Sequence, residues 1–341
     1  MSQQLERFDA WIAEGGPSAL IIKEYLQPAA GPGEVIFPPT FATEGYIIDG
    51  EGENSVCLLD TVGSQANRIE PLFKMAEYRD LTPQVEIRVK ERVLNLLDLG
   101  HRAADAVARS TSLAPEFQAA FSSYDSGDAG PLAKVAPTTL LFGAWDSRGT
   151  HVKVPRAIDS TIRAFHVIKL VRGAQYFAAL ENEEIEELLN LEIAKQRDAL
   201  SVDGFLDAPS KTLGGVIVKG DIVRTTILNL TVLRTLGGTT ELRRYILGLA
   251  LIAALSPGDL FLRQGCLLVR DPERALTQTV VFRDGRREEA THSASDAVTY
   301  CRAAAQSFGV GGDRSVEFDP KAAKALLEKS AEKKAKKGKK E

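Results

Sequence analysis

The sequence has few of the residues that build metal sites and disulfide frameworks. Its three cysteines, Cys57, Cys266 and Cys301, lie far apart and form no CxxC spacing, and its four histidines form no HxxxH or HExxH pair. These spacings argue against a zinc site and fit a reducing compartment. We therefore predict free, buried thiols and no metal ligand.

Several familiar motifs are missing as well. The chain contains no GxxxxGK[ST] loop, no GxGxxG after a predicted strand and no GxSxG elbow, so nucleotide hydrolysis, dinucleotide binding and serine hydrolysis lose their usual support. We predict no cofactor. There is no run of about 18 apolar residues, and the first residues predict an amphipathic helix instead of a leader peptide. We expect a cytoplasmic protein that does not contact membranes.

Charge is distributed unevenly along the 341 residues, although 44% of them are hydrophobic and can fill a core. The net charge is -4, and from Lys321 onward nine Lys face three Glu, so that this segment carries +6 and the preceding body about -10. A global basic field is absent, and any binding of nucleic acid must use a local surface. Aromatic content is only 7%, which weakens a model based on stacked bases.

Periodicity and turn residues predict an α+β chain. Expected strands include ALIIKEYL, QVEIRVK, TTLLFGAW and TIRAFHVIKLV, with a hairpin of GYIID and SVCLLD. Expected helices include YILGLALIAAL as a core helix, SASDAVTYCRAAAQSF, LLDLGHRAADAVARS and one helix from Glu181 to Leu200. A helix starting at Ser64 should break near Glu70 because Pro71 lacks a backbone donor. The segment 201–215 predicts an exposed, mobile loop.

The stretch FGAWDSRGTHVKVPRAIDSTIRA, residues 142–164, carries four cations among Gly, Ser and Thr residues: Arg148, Lys153, Arg156 and Arg163. Small residues let a ligand approach the backbone, and Arg and Lys match phosphate oxygens. The alternative is a loop of solvated cations paired with Asp146 and Asp159. Trp145 is expected to pack in the core.

Other polar residues extend this hypothesis to further segments. At a predicted helix start, where backbone N–H groups favour anions, lie Ser64, Gln65, Asn67 and Arg68. The alternative to anion binding is that Ser64 caps the helix and Arg68 forms a surface ion pair.

Four more residues complete the predicted set of nucleic-acid contacts. His101 and Arg102 are expected to reach outward from a helix, where His101 either contacts a phosphate or ribose or makes a local hydrogen bond. Lys219 and Arg224 flank a strand and either extend the cationic surface or serve as edge charges. No nucleophile, base and orienting group accompany these cations, so we predict no catalytic residue.

Four blocks, taken in order, carry a resemblance to a known family: LLDTVGSQANRIEPLF, LLDLGHRAADAV, PLAKVAPTTLLFGAWDSRGTHVKVPRAIDSTIRA and GGVIVKGDIVRTTILNLTVLR. The chain resembles the backbone subunit of type I-G (formerly I-U) CRISPR interference complexes, within the RAMP superfamily. The resemblance implies an RRM-like, ferredoxin-like palm with finger and thumb insertions in a single domain over residues 1–318. Residues 319–341 would form a Lys-rich helix or tail with a disordered tip.

The resemblance also implies the function of such a subunit. It would not cut nucleic acid; copies would assemble head-to-tail along a CRISPR guide RNA and present it for pairing with invading DNA in antiviral defence. The implied partners are the guide RNA, target DNA through guide pairing, a large subunit, and a fused subunit that processes and binds the guide end. Aromatic RNP boxes are missing, so stacking on the sheet is not expected, and Asp203 and Asp207 receive no nuclease role.

Two other functions stay open at this point. One is a metal-independent endoribonuclease that processes the guide RNA, with His101 or His151 as general base and nearby cations stabilising the phosphorane. The other is a protein-binding scaffold whose Lys tail contacts nucleic acid without specificity.

Overall fold

The computed structural model describes residues 5–172, 178–207, 212–256 and 258–337. The strands are β1 (Ala19–Pro28), β2 (Val35–Ile36), β3 (Ile48–Asp49), β4 (Val56–Asp60), β5 (Val85–Val89), β6 (Arg92–Asn95), β7 (Ala144–Trp145), β8 (Lys153–Val154), β9 (Ile158–Phe165), β10 (Val167–Arg172), β11 (Thr212–Val218), β12 (Ile222–Asn229), β13 (Phe261–Arg263), β14 (Cys266–Arg270), β15 (Thr277–Val281), β16 (Arg287–Glu289) and β17 (Arg314–Glu317). The helices are α1 (Asp9–Ile12), α2 (Val62–Ile69), α3 (Ala114–Asp125), α4 (Gly130–Val135), α5 (Thr138–Phe142), α6 (Asn182–Leu189), α7 (Ile193–Val202), α8 (Leu230–Thr235), α9 (Thr240–Leu255), α10 (Ala294–Phe308) and α11 (Pro320–Lys337). Within these ranges, no helix has the length and apolar character needed to span a bilayer.

The centre of the fold is an antiparallel sheet in which β15, β1, β12 and β9 lie side by side. Along the chain these strands come in the order β1, β9, β12, β15, with α2 to α5 before β9 and α9 between β12 and β15. Numbered along the chain, the spatial order is therefore 4-1-3-2, which is the ferredoxin-like arrangement. The predicted α+β class with a ferredoxin-like palm is confirmed.

The palm is held by a large apolar core between the sheet and the helices. In β1, Leu20 and Ile22 are buried in this core, whereas Leu26 is buried in a separate apolar cluster. Helix α9 is buried from Tyr245 to Ala254, as predicted for a helix that is apolar on every side. Its start is capped by the Thr239 side chain, which accepts a hydrogen bond from the Leu242 N–H at 3.2 Å.

Two insertions extend from the palm. The first, between β4 and β9, contains α2 to α5, the β5–β6 hairpin and the short β7–β8 hairpin. The second, between β9 and β12, contains β10, α6, α7 and β11. It encloses a small cluster formed by Ile185, Ile193, Leu200 and Leu206. The insertions place irregular, polar segments around a rigid sheet, as binding proteins commonly do.

The prediction of one helix from Glu181 to Leu200 is wrong, because Asn190 adopts a left-handed conformation (φ 49°) that ends α6 before α7 begins. Part of the predicted mobile loop 201–215, residues 208–211, lies outside the described residues. The loop prediction is wrong at both ends, because residues 201 and 202 end α7 and residues 212–215 begin β11. Between them, Leu206 is buried in the apolar cluster of the insertion.

Two further predictions in the first insertion are wrong. Residues 96–110 form three short 3-10 turns instead of a helix, because Gly100 and the positive φ of Arg102 (53°) interrupt the helical path. TTLLF forms the buried helix α5 instead of a strand, since a short, fully buried apolar run has no period that separates the two structures. Gly143 then turns the chain with φ 74°.

Helix α2 ends where the sequence predicts, because a 3-10 turn replaces it from Glu70, beside Pro71. The predicted cap is wrong, however. The N-cap is Thr61, whose hydroxyl accepts a hydrogen bond from the Ser64 N–H at 3.1 Å.

The C-terminal segment forms a helix that begins against the first insertion. The Asp319 N–H donates to the Ser110 carbonyl at 2.7 Å, and α11 follows at Pro320. Leu326 lines a small hollow of about 100 Å³ with Asp146 and Gly149. The predicted disordered tip falls on residues 338–341, outside the described residues.

Candidate nucleic-acid interface

A groove of about 820 Å³ lies between one side of α2, the turns of residues 100–109 and the β7–β8 hairpin. Six of the residues predicted to contact nucleic acid line it: Asn67, His101, Arg102, Arg148, Lys153 and Arg156. They come from three separate segments that the fold brings together. We call this the cationic groove.

The loop that carries Arg148 is organised by one buried carboxylate. Asp146 accepts hydrogen bonds from the Gly149 N–H at 3.0 Å, the Thr150 N–H at 2.6 Å and the Thr150 hydroxyl at 2.9 Å. A Cβ at Gly149 would lie 2.3 Å from an Asp146 carboxylate oxygen, so a larger residue there would displace the carboxylate from its hydrogen bonds. Asp146 therefore fixes the backbone of the loop, and the cation nearest to it is Arg109, at 4.0 Å.

The cations of the groove keep their charge available. Within the described ranges, Arg148, Lys153 and Arg156 form no ion pair with a carboxylate, so neither Asp146 nor Asp159 neutralises them. Arg156 uses only its Nε, which donates to the Phe142 carbonyl at 2.9 Å. Unpaired guanidinium and ammonium groups lining one concave surface attract phosphates.

Arg102 lies beneath the groove instead of reaching outward, so this prediction is wrong. Its side chain is buried, its Nε lies 2.7 Å from the Glu70 carboxylate, and its Nη1 donates to the Gly143 carbonyl at 3.1 Å. Burial raises the pKa of Glu70 to about 7, although Arg102 opposes this shift. Arg102 thus holds the Gly143 carbonyl in place. A Cβ added at Gly143 would lie 2.8 Å from Arg156 Cγ, so a larger residue there would collide with Arg156.

Three predicted contacts at α2 serve the structure. Gln65 is buried, donates to Asp60 at 2.7 Å and accepts from the Ser160 hydroxyl at 3.1 Å. Arg68 pairs with Asp60 at 3.0 Å and donates to the Phe261 and Leu262 carbonyls. The Ser64 hydroxyl accepts a hydrogen bond from the Thr61 hydroxyl at 3.1 Å. Of the four residues predicted on this segment, Asn67 alone lines the groove.

The remaining three predicted residues lie elsewhere. Arg224 is on β12, a central strand, and pairs with buried Glu24 at 2.6 Å, so it is neither an edge charge nor part of the cationic groove. Arg163 is exposed on β9 and donates to the Thr161 hydroxyl at 2.9 Å. Lys219 lines a separate hollow with two aspartates. The expectation that Lys219 and Arg224 extend one cationic surface is therefore wrong.

Two residues of the groove were missed in the predicted set. Arg109 lines it from the last 3-10 turn. Trp145 also lines it and is 58% exposed, so the expectation that it packs in the core is wrong. Its position inside a cationic, glycine-containing segment was a signal of surface exposure.

The structure thus defines an α+β protein with a ferredoxin-like palm and a cationic groove built by an insertion. Among the described residues, no three His, Cys, Asp or Glu side chains cluster in a way that could hold a metal ion. Such a groove can bind a polyanion without covalent chemistry.

Comparison with known proteins finds similarity to a CRISPR-associated family over part of the chain. Residues 20–169, less than half of the chain, match the family described as CRISPR-associated protein GSU0053, and no curated protein matches the sequence. A chain in a solved structure titled "CRISPR RNA-guided surveillance complex, pre-nicking" aligns with 91% of this chain and 99% of its own length, at 11% identity and a TM-score of 0.40. The family match includes β1, β4, α2, the cationic groove and β9.

Proposed function

We propose that this chain is a guide-RNA-binding backbone subunit of a CRISPR interference complex of type I-G, within the RAMP superfamily. The family match, the ferredoxin-like palm and the resemblance of the sequence blocks support this assignment. In this role the chain binds the guide without cutting it, and copies assemble head-to-tail in the cytoplasm with a large subunit and a fused guide-processing subunit. The guide is then presented to invading DNA.

The observation that carries the proposal is the set of unpaired cations in the groove, Arg148, Lys153 and Arg156. A protein that holds guides of many sequences must bind what all guides share, the phosphates and riboses. Base pairing between guide and target then supplies the sequence information. Arginine forks and a lysine ammonium around a shallow groove meet this requirement.

Reconstitution with guide RNA tests the assembly. The chain, its partner subunits and guides of two lengths are co-purified, and the copies bound to each guide are counted by native mass spectrometry. We expect the copy number to increase with guide length, because head-to-tail contacts continue until something ends them. An RNA-free monomer in both preparations would contradict the proposal.

The endoribonuclease alternative is favoured by one observation, the position of His101 in the groove that Arg148 and Arg156 also line. A histidine beside phosphate-binding cations is the arrangement needed for metal-independent cleavage. We expect the purified chain to leave repeat RNA intact, and His101→Ala to bind guide RNA within a few-fold of the natural chain. Cleavage that disappears in His101→Ala would establish the alternative instead.

Replacing Asp146 with alanine is expected to weaken RNA binding, although it removes a negative charge beside the groove. The loop loses the acceptor of three hydrogen bonds, so Arg148 is no longer preorganised and binding must order it. We expect an affinity loss of about 3- to 10-fold, measured by fluorescence anisotropy with labelled RNA. Asp284→Ala makes the same charge change at an exposed turn and serves as the control. Tighter binding by Asp146→Ala than by the control would contradict this account.

A further inference from the structure

We propose that Trp145 is a stacking platform for one nucleobase of the RNA bound in the cationic groove. This inference rests on the proposed function and deepens it, because the cations account only for binding of the phosphates. It assigns a second kind of contact to the same groove, one made to a base.

The placement of the indole carries the inference. Trp145 is the second residue of β7, directly paired with Lys153 of β8. The Lys153 Nζ lies 5.0 Å from the centre of the indole ring. The side chain is 58% exposed and lines the groove with Arg148 and Arg156. An indole of that exposure presents a large, flat apolar surface to the groove.

The residues around Trp145 indicate that a nucleobase is the ligand that stacks on it. Asp146 and Gly149 fix the loop that follows Trp145, so the ring is presented from an ordered hairpin. Cations on the same surface bring phosphates within reach, and a nucleotide held by its phosphate offers a flat base with a π-face that any aromatic side chain accepts. Stacking is independent of base identity, which agrees with a groove that reads no sequence.

Intrinsic fluorescence gives a direct test, because the chain contains only two tryptophans. Trp11 packs against Phe8 and His292, with ring centres 4.9 and 5.3 Å away. In a Trp11→Phe variant, emission therefore reports Trp145 alone. We expect single-stranded RNA to quench this emission with the same midpoint as RNA binding followed by anisotropy. A ribose–phosphate oligomer without bases should bind through the cations and leave the emission unchanged.

Substitutions at Trp145 test the energetic contribution. Trp145→Ala should weaken RNA binding roughly 5- to 150-fold, the range for loss of one aromatic–base stack. The slope of log affinity against log salt should not change, because no charge is lost. Trp145→Phe should recover part of the affinity. The base-free oligomer should bind Trp145→Ala and the natural chain equally well.

The outcomes separate this inference from the proposed function. Unaltered RNA affinity in Trp145→Ala, together with unquenched emission on binding, would overturn the stacking role and leave the RNA-binding role standing. Quenching by the base-free oligomer would also overturn it, because the indole would then be reporting phosphate binding. Failure of the natural chain to bind any RNA in the anisotropy measurement would contradict the proposed function itself.

Discussion

Arg102→Met is expected to lower the free energy of unfolding by about 3–5 kcal/mol at pH 8, the cost of leaving a buried carboxylate without its partner. Arg102 and Glu70 are both almost fully buried, with Nε and the carboxylate 2.7 Å apart. The loss is measured by urea denaturation at a fixed salt concentration. Arg286→Met, which breaks the exposed pair with Glu288, should cost no more than about 1 kcal/mol.

The pH dependence of this loss has a defined sign. Burial raises the pKa of Glu70 in the folded chain to about 7, above the value of about 4.3 expected in the unfolded chain. The stability contributed by protonated Glu70 is therefore complete at low pH and is lost as the pH rises through about 7. Removing Arg102 takes away the positive charge that opposes the shift, so the pKa of Glu70 should rise further. Each pH unit above the natural chain's pKa of about 7 adds about 1.4 kcal/mol to the difference between the two chains, so we expect the deficit at pH 5 to be about 1.4 kcal/mol smaller than the deficit at pH 8.

A double variant checks the physical reason for this effect. Arg102→Met combined with Glu70→Gln removes both charges and should recover much of the lost stability at pH 8. Equal stability of Arg102→Met and the Arg286→Met control at pH 8 would contradict the buried-pair account. A deficit that is constant between pH 5 and pH 8 would contradict the assignment to Glu70.

Replacing Arg148, Lys153 and Arg156 together with glutamine is expected to weaken guide-RNA binding by at least about a hundredfold at 150 mM salt, since each charged hydrogen bond contributes about 1.5–3 kcal/mol before screening. Guides of unrelated sequence should lose affinity about equally, because phosphates carry no sequence. The slope of log affinity against log salt should become shallower by about 0.7 for each lost phosphate contact. Anisotropy titrations at four salt concentrations give both quantities.

A matched triple variant controls for charge alone. Arg283, Arg286 and Arg287 are exposed around the β15–β16 turn and do not line the groove. Their replacement with glutamine changes the net charge by the same amount. Similar losses in the two triple variants would show that only the overall field acts, and would contradict a localised binding groove.

The palm could be predicted from the sequence because its elements are long and strongly patterned. The Val- and Ile-rich strands β1 and β12 and the apolar helix α9 follow from composition and periodicity alone. The first insertion could not be predicted in the same way. Its structure depends on the buried pair of Arg102 and Glu70, and a local pattern contains no information on that contact.

The same distinction applies to the site. Composition located the segment around Arg148, Lys153 and Arg156, because several cations among small residues are visible in the sequence. Composition could not distinguish these exposed cations from Arg224. Arg224 is largely buried and pairs with Glu24 on another strand of the sheet. Surface access is a property of the tertiary structure, and residue type alone does not reveal it.

The position of α11 affects how a C-terminal truncation should be designed. If the chain acts as a scaffold that meets nucleic acid only through its lysines, removing those lysines should abolish binding. A cut before Leu326 would also uncover Phe117 and loosen the neighbourhood of Asp146, which share its hollow. Such a shortened chain would therefore lose both its lysines and the packing around Asp146, and the two effects on binding could not be separated. A stop codon after Glu328 keeps Leu326 in its hollow and removes seven of the nine lysines.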